Sequence, residues 1–312
     1  MKLVKSSKYV FWINIATFIA ILVLSMIFYK VITKYLSWKM TELKPVLKKE
    51  GFGSSNNSKT TSNIGIVSMM KDPKNLETWL QKHRELGIRH FYIRLEETPD
   101  MVDFLKEQSD VTVVSGVSKG VNEYDEQQTR QNEWVNEVYK MVILDNSEIK
   151  WLIHIDSDEI LQGDLNEIED LPEEVRTFWM QNLEARFSKI PSKTDNCFVA
   201  SKFIDCSKEP KKCVSYGNGK GGGRVAPDVS SFGPHRMKST IKTAPPAPKL
   251  TKVFVQHYES CDFEIYKKKF KRLSVQDKKL DIPFAYYNES ILASKNNDEE
   301  ELRRIYTKYR VE

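Results

Sequence analysis

Trp-Leu-Ile-His-Ile-Asp-Ser-Asp-Glu-Ile-Leu, residues 151–161, is the stretch on which the fold of this 312-residue chain turns. Five mostly apolar residues, 151–155, read as a buried strand. Asp156, Asp158 and Glu159 follow at once, and then Ile160 and Leu161 resume the apolar run. Carboxylates set between apolar runs are costly to bury unless they are paired or hold a cation. Asp156-Ser157-Asp158 is also the only Asp-x-Asp in the sequence. Two closely spaced carboxylates at a strand end suit Mn²⁺ or Mg²⁺ and, through it, a diphosphate. A capping turn is the plain structural reading of the same residues. An EF-hand counted from Asp156 fails, because Ile160 and Leu161 stand where an oxygen ligand and glycine are required.

Outward from this stretch the pattern alternates. Upstream, residues 63–70, 90–95 and 111–114 read as strands, while 75–86, 101–107 and 126–144 read as helices. Leu76, Trp79, Leu80, His83 and Leu86 recur at helical spacing, and Gly87 follows as the stop. Strand and helix in this rhythm predict an α/β domain with a parallel, Rossmann-type central sheet and helices on its faces. Ligands in such sheets bind beyond the carboxyl ends of the strands, where Asp156 lies.

Downstream, residues 217–224 (Gly-Asn-Gly-Lys-Gly-Gly-Gly-Arg) satisfy G-x-G-x-x-G, but without a strand before or a helix after them. Neither a dinucleotide fingerprint nor a Walker loop fits. The expectation is a flexible loop carrying Lys220 and Arg224 as diphosphate contacts. His235 follows a Gly-Pro turn, and His257 ends the apolar run 253–258, so either imidazole is a candidate to complete a metal shell.

The N-terminus is of another kind. Residues 9–29 carry no charge, and at 1.5 Å per residue they extend about 31 Å, enough for a hydrocarbon core. Tyr9, Trp12 and Tyr29 sit near the ends, as interfacial rings do. Residues 1–8 are expected as a short cytosolic tail, 9–29 as a transmembrane signal-anchor, and 30–62 as a flexible stem. Residues 1–50 hold nine Lys and two Glu, so the other 262 carry 39 basic and 41 acidic side chains. The basic balance thus belongs to the anchor, which argues against a nucleic-acid-binding domain. The triplets Asn56-Asn57-Ser58 and Asn288-Glu289-Ser290 fit N-glycosylation of a lumenal body. Of the four cysteines, Cys206 and Cys213 flank a short polar loop that a disulfide would close in an oxidising compartment; four reduced thiols are the other reading.

Four segments in order carry a resemblance. Residues 74–100 (KNLETWLQKHRELGIRHFYIRLEETPD), 151–161, 219–237 (GKGGGRVAPDVSSFGPHRM) and 256–272 (QHYESCDFEIYKKKFKR) together resemble the GT-A-type glycosyltransferases of family 92 and its family 2-like relatives. The likeness runs over residues 64–275. It implies a GT-A-like catalytic domain over 63–285, followed by a polar helix or tail over 286–312. It further implies metal-dependent, inverting transfer of a sugar from a nucleotide-sugar to a glycan hydroxyl. The enzyme would be a single-pass protein of the Golgi or ER with its catalytic domain in the lumen. Asp156 and Asp158 would then be nucleotide and metal contacts, with His235 and His257 as metal or phosphate contacts. Asp228, Glu259 and Asp262 are candidates for the base that an inverting displacement needs. Three consecutive glycines, 221–223, depart from the family pattern, where an apolar stretch is typical. A membrane-anchored carbohydrate-binding or scaffold protein with a transferase-like fold and no turnover is the alternative.

Overall fold

The computed structural model describes residues 62–117, 123–275 and 284–312. The expected anchor at 9–29 and nearly all of the stem lie outside them. Among the described residues no helix is long and apolar enough to cross a membrane.

The first half follows the expected rhythm: β1 (Ile64–Met70), α1 (Leu76–Leu86), β2 (His90–Glu96), α2 (Val102–Lys106), β3 (Val111–Gly116), α3 (Glu123–Leu144) and β4 (Trp151–His154). Burial at period 2 explains the layering. Ile64, Ile66 and Met70 join Leu76, Trp79 and Leu80 of α1 in one cluster. Val67 and Met69, on the other face of β1, join Trp134, Val138 and Tyr139 of α3 in a second. Gly87, at φ 111°, ends α1, and its N–H donates to the carbonyls of Arg84 and His83.

The second half supplies β5 (Glu159–Gly163), α4 (Asn166–Glu169), β6 (Thr177–Arg186), β7 (Lys202–Asp205), β8 (Lys220–Arg224), β9 (Val229–Ser231), β10 (Met237–Ser239), β11 (Lys249–His257), α5 (Phe263–Ser274), α6 (Ala285–Lys295) and α7 (Glu299–Arg310). The main sheet runs β3-β2-β1-β4-β8-β6-β11-β5, with β7 on β6, and β9 pairs with β10 separately. The sheet is therefore mixed rather than parallel throughout. Only β3-β2-β1-β4 and the β6–β11 pair are parallel, while β8, β5 and β7 pair antiparallel.

The glycine run is corrected in part: residues 220–224 form a buried strand, while 217–219 lie outside any strand. Strand β8 pairs with β4 on one side and β6 on the other. A Cβ on Gly222 would lie 2.3 Å from the Phe178 ring, and one on Gly223 would lie 2.5 Å from the Tyr139 hydroxyl. The glycines are a strand because neighbouring aromatic side chains fill the space that their own would need.

Residues 286–312 form most of α6 and all of α7. They close on α5 through Tyr266, Phe270, Tyr286, Leu302, Ile305 and Tyr306. Asn288 is exposed on α6, and Ser290 of the same triplet is buried. Two disulfides are present. Cys206–Cys213 closes the polar loop, and Cys197–Cys261 ties the segment after β6 to the start of α5.

Candidate metal centre and cleft

Where β4 ends, the chain turns at once. The Asp156 N–H donates to Glu159 Oε2 at 2.8 Å, and the Glu159 N–H to the Asp156 carbonyl at 3.2 Å. Strand β5 then pairs antiparallel with β11 so that Glu159 stands opposite His257. The Tyr258 N–H donates to the Asp158 carbonyl at 2.8 Å, which locks the end of β11 to the acidic turn. Two segments about a hundred residues apart in sequence thereby present their polar ends together.

Asp156 and Asp158 meet different surroundings. Lys220 Nζ sits 2.5 Å from Asp156 Oδ2 and 3.0 Å from Glu159 Oε2, with its side chain wholly buried. Gln131 of α3 donates to Asp156 Oδ1 at 2.9 Å. Burial alone would push the Asp156 carboxyl up, but the Lys220 ammonium beside it holds it well below the usual range. Lys220 is correspondingly raised: burial opposes its charge, and the Asp156 and Glu159 carboxylates outweigh burial. Burial also acts to raise Glu159. Lys220, the Asp156 N–H and the Tyr216 hydroxyl all donate to it, however, and three donors favour the carboxylate.

Asp158 faces outward, its side chain 41% exposed, with Oδ2 3.6 Å from His257 Nε2. Glu259 Oε2 lies 3.9 Å from the same nitrogen. Asp158, His257 and Glu259 form a possible metal-binding triad, each offering one ligand atom within 4.8 Å of the others. The other nitrogen of His257 is held from behind, with Nδ1 2.6 Å from Glu184 Oε1 and 3.1 Å from Ser215 Oγ. This carboxylate–imidazole pairing is how metal-ligating histidines are oriented. Burial opposes a charge on His257, yet Glu184 and Asp158 raise it well above its ordinary value. A cation at the same place would feel that pull.

Glu259 is braced by Lys269 Nζ at 2.7 and 2.8 Å and by Ser260 Oγ at 2.6 Å. Burial would raise its carboxyl; Lys269 and His257 bring it down to about 2. Five carboxylates (Asp156, Asp158, Glu159, Glu184, Glu259) thus meet three fixed cations (Lys220, Lys269, Arg310). A proton on His257 adds a fourth positive charge, and a divalent ion at the triad would take the place of that proton.

The triad opens on a cleft of about 430 Å³ at the carboxyl ends of β1, β2 and β4. Met70, Glu96, Arg130 and Gln131 line it, together with Lys268, Arg272, Phe284 and Tyr287. Arg130 grips Glu96 with two hydrogen bonds, at 2.7 and 2.9 Å. His235 lines the cleft with its ring 4.3 Å from that of Tyr216, which lies 5.1 Å from His257 on its other side. Burial, aided by Lys220, lowers His235 to about 3. His154 donates from Nδ1 to the Pro234 carbonyl at 2.9 Å, which pins the His235 turn against β4.

Asp156, Asp158, Lys220, His235, His257 and Glu259 therefore converge. Arg224, Asp228 and Asp262 lie elsewhere. Arg224 pairs across from Trp151 at the far end of β4, stacks 4.2 Å over that indole, and donates to the carbonyls of Leu171, Pro172 and Val175. Asp228 accepts from Ser239 at 2.6 Å beside the β9–β10 hairpin. Asp262 caps α5 through the Ile265 N–H and pairs with Lys74 at 2.5 Å. Sequence reasoning passed over Glu184, Ser215, Tyr216 and Lys269. Glu184 had a signal: in Thr177–Arg186, positions 178, 180, 182 and 184 share one face, so Asn182 and Glu184 fall in register with buried Phe178 and Met180.

No protein-family model matches the chain, and no curated protein sequence matches it. Among solved structures it is similar to HddC from Yersinia pseudotuberculosis, at 10% identity over 65% of this chain and 96% of that one, with a TM-score of 0.35. HddC complexed with GMP-PN gives 10% identity, 67% and 99% coverage, and a TM-score of 0.33. A homolog of Mycobacterium tuberculosis Rv0371c from Mycobacterium sp. strain JC1 gives 11% identity over 40% of this chain and 65% of that one, at 0.27. TM-scores this low leave the function to be argued from the chain's own geometry. That geometry is a mixed α/β domain with a candidate divalent-metal centre at the strand ends.

Proposed function

We propose that this chain is a metal-dependent glycosyltransferase of GT-A-like fold. It would move a sugar from a nucleotide-sugar donor to a glycan hydroxyl. The observation that carries the reading is the Asp158–His257–Glu259 triad, opening on a cleft at the carboxyl ends of parallel strands. The four-segment resemblance points the same way.

The donor set fits the metal. Two carboxylate oxygens and one imidazole nitrogen suit Mn²⁺ better than Mg²⁺, which prefers an all-oxygen shell. Asp158, His257 and Glu259 would hold it, and its charge would stabilise a departing nucleoside diphosphate. The residues around it divide the remaining work. Lys220 and Gln131 would fix Asp156 as an acceptor for a donor hydroxyl, Arg130 and Glu96 would shape the cleft wall, and Lys268 and Arg272 would bring positive charge to its lining.

The setting agrees. Cys197–Cys261 and Cys206–Cys213 suit an oxidising compartment. The uncharged run 9–29 suits a single-pass anchor with this domain in the Golgi or ER lumen. The test is nucleotide release by the purified full chain from a panel of nucleotide-sugars, with Mn²⁺ or with EDTA. Release from one donor, lost with EDTA and restored by Mn²⁺, is the expected result. Release unaffected by EDTA would overturn the metal role. No release from any donor, together with no thermal stabilisation by nucleotide plus Mn²⁺, would overturn the transferase.

A further inference from the structure

Behind the imidazole of His257 the polar contacts continue, and they end on a helix that reaches no part of the cleft. Glu184 uses Oε1 for His257 Nδ1, at 2.6 Å, and for Ser215 Oγ, at 2.7 Å. Its second oxygen, Oε2, receives Arg310 Nη1 at 3.2 Å. Arg310 and Glu184 are 0% and 1% exposed, so this is an ion pair wholly inside the protein. The helix carrying Arg310, α7, is fastened to the same strand. The Phe187 N–H donates to the Arg310 carbonyl at 2.9 Å, the Glu312 N–H to the Phe187 carbonyl at 3.0 Å, and Arg186 Nη1 to the Lys308 carbonyl at 3.4 Å. Arg310 also lies 5.4 Å over the Phe187 ring.

Stability alone accounts poorly for this arrangement. A buried ion pair is frequently no better than a well-packed apolar one. Arg310 moreover leaves Nε and Nη2 buried without a partner, a further cost. The single bond that it does make goes to the carboxylate that orients His257. We infer that Arg310 is a positioning residue for the candidate metal centre. It fixes Glu184, Glu184 fixes the ring plane and proton of His257 at Nδ1, and Nε2 is thereby aimed between Asp158 and Glu259. The α7 helix would then be part of the metal site, although none of its residues lines the cleft.

This inference rests on the metal reading above, and one experiment separates the two. Mn²⁺ binding to the purified full chain is followed by the EPR signal of free Mn²⁺, with melting temperature measured on the same samples. The variants are Arg310→Met, Arg310→Lys, Glu184→Gln and, as a control on the same helix, Leu302→Ala, which removes a buried side chain. Loss of an outer partner typically weakens a metal site about 10–100-fold, and Arg310→Met is expected in that range. Arg310→Lys should recover part of the affinity, and Glu184→Gln should weaken binding even if Arg310→Met fails to fold. Leu302→Ala should lower the melting temperature and leave Mn²⁺ affinity intact. Wild-type affinity in Arg310→Met, or equal losses in Leu302→Ala, would overturn the positioning role. Absence of Mn²⁺ binding by the wild type would overturn the metal reading itself.

Discussion

Asp156 and Asp158 stand two residues apart on one turn, and the protein treats them as opposites. Asp156 has its charge answered from within, by an ammonium on a strand that has almost no other side chains. Asp158 faces the cleft beside an imidazole and a second carboxylate, in a group with more negative than positive charge. An acidic motif therefore does not by itself say which carboxylate meets an outside cation. The neighbours decide, and here they come from β8 for one residue and from β11 for the other.

The contrast breaks most sharply if Lys220 is removed. Lys220→Met would leave the buried Glu159 beside Asp156 without their cation, a loss of about 3 kcal/mol. Chemical denaturation should show it whether or not Mn²⁺ is present. Asp158→Asn, at the open end of the turn, should do the reverse. Mn²⁺ affinity should fall by more than the roughly 10–100-fold typical of an outer partner, with little change in unfolding. If the two variants exchanged phenotypes, the division of roles would be wrong.

A smaller effect sharpens the same lesson with a third histidine. His83 has no carboxylate near it. It donates from Nδ1 to the Trp79 carbonyl and accepts the Leu161 N–H at Nε2, so both nitrogens are used in the neutral form. Burial lowers it to about 3, whereas the carboxylates around His257 reverse that same burial effect. Between pH 6.5 and 3 the unfolded chain binds a proton at His83 that the folded chain does not. Its contribution is therefore complete above pH 6.5 and is lost as pH falls. Comparing His83→Gln with the wild type, the stability difference between pH 7 and pH 5 should shrink by about 2 kcal/mol. An unchanged difference would mean that His83 is not held neutral.

Much of the first half was legible because local pattern and tertiary role agree there. The apolar runs at 63–70 and 151–155, the stripe from Leu76 to Leu86 and the stop at Gly87 lie where the elements form. The acidic turn was legible because a strand end in an α/β sheet is a fixed address. What was hidden depends on contacts between distant segments. Composition marked 217–224 as a loop because strand propensity says nothing of the rings of Phe178 and Tyr139, which make a glycine strand pack. Arg224 and Lys220 share that strand four residues apart and so reach opposite ends of it. Asp262 looked available for chemistry, but a side chain at a helix start is readily claimed as its cap.

The glycine strand has a consequence for how this gene can vary. Most buried segments have alternatives, since one aliphatic residue can stand in for another of similar volume. At Gly219, Gly222 and Gly223 there is no smaller residue to retreat to. A Cβ at Gly219 would lie 2.0 Å from the Met180 carbonyl oxygen, at a φ of 71°. Every missense change at these three positions adds atoms where none fit. In a saturation library, the deepest depletion should fall on the stretch that a composition plot would draw as filler.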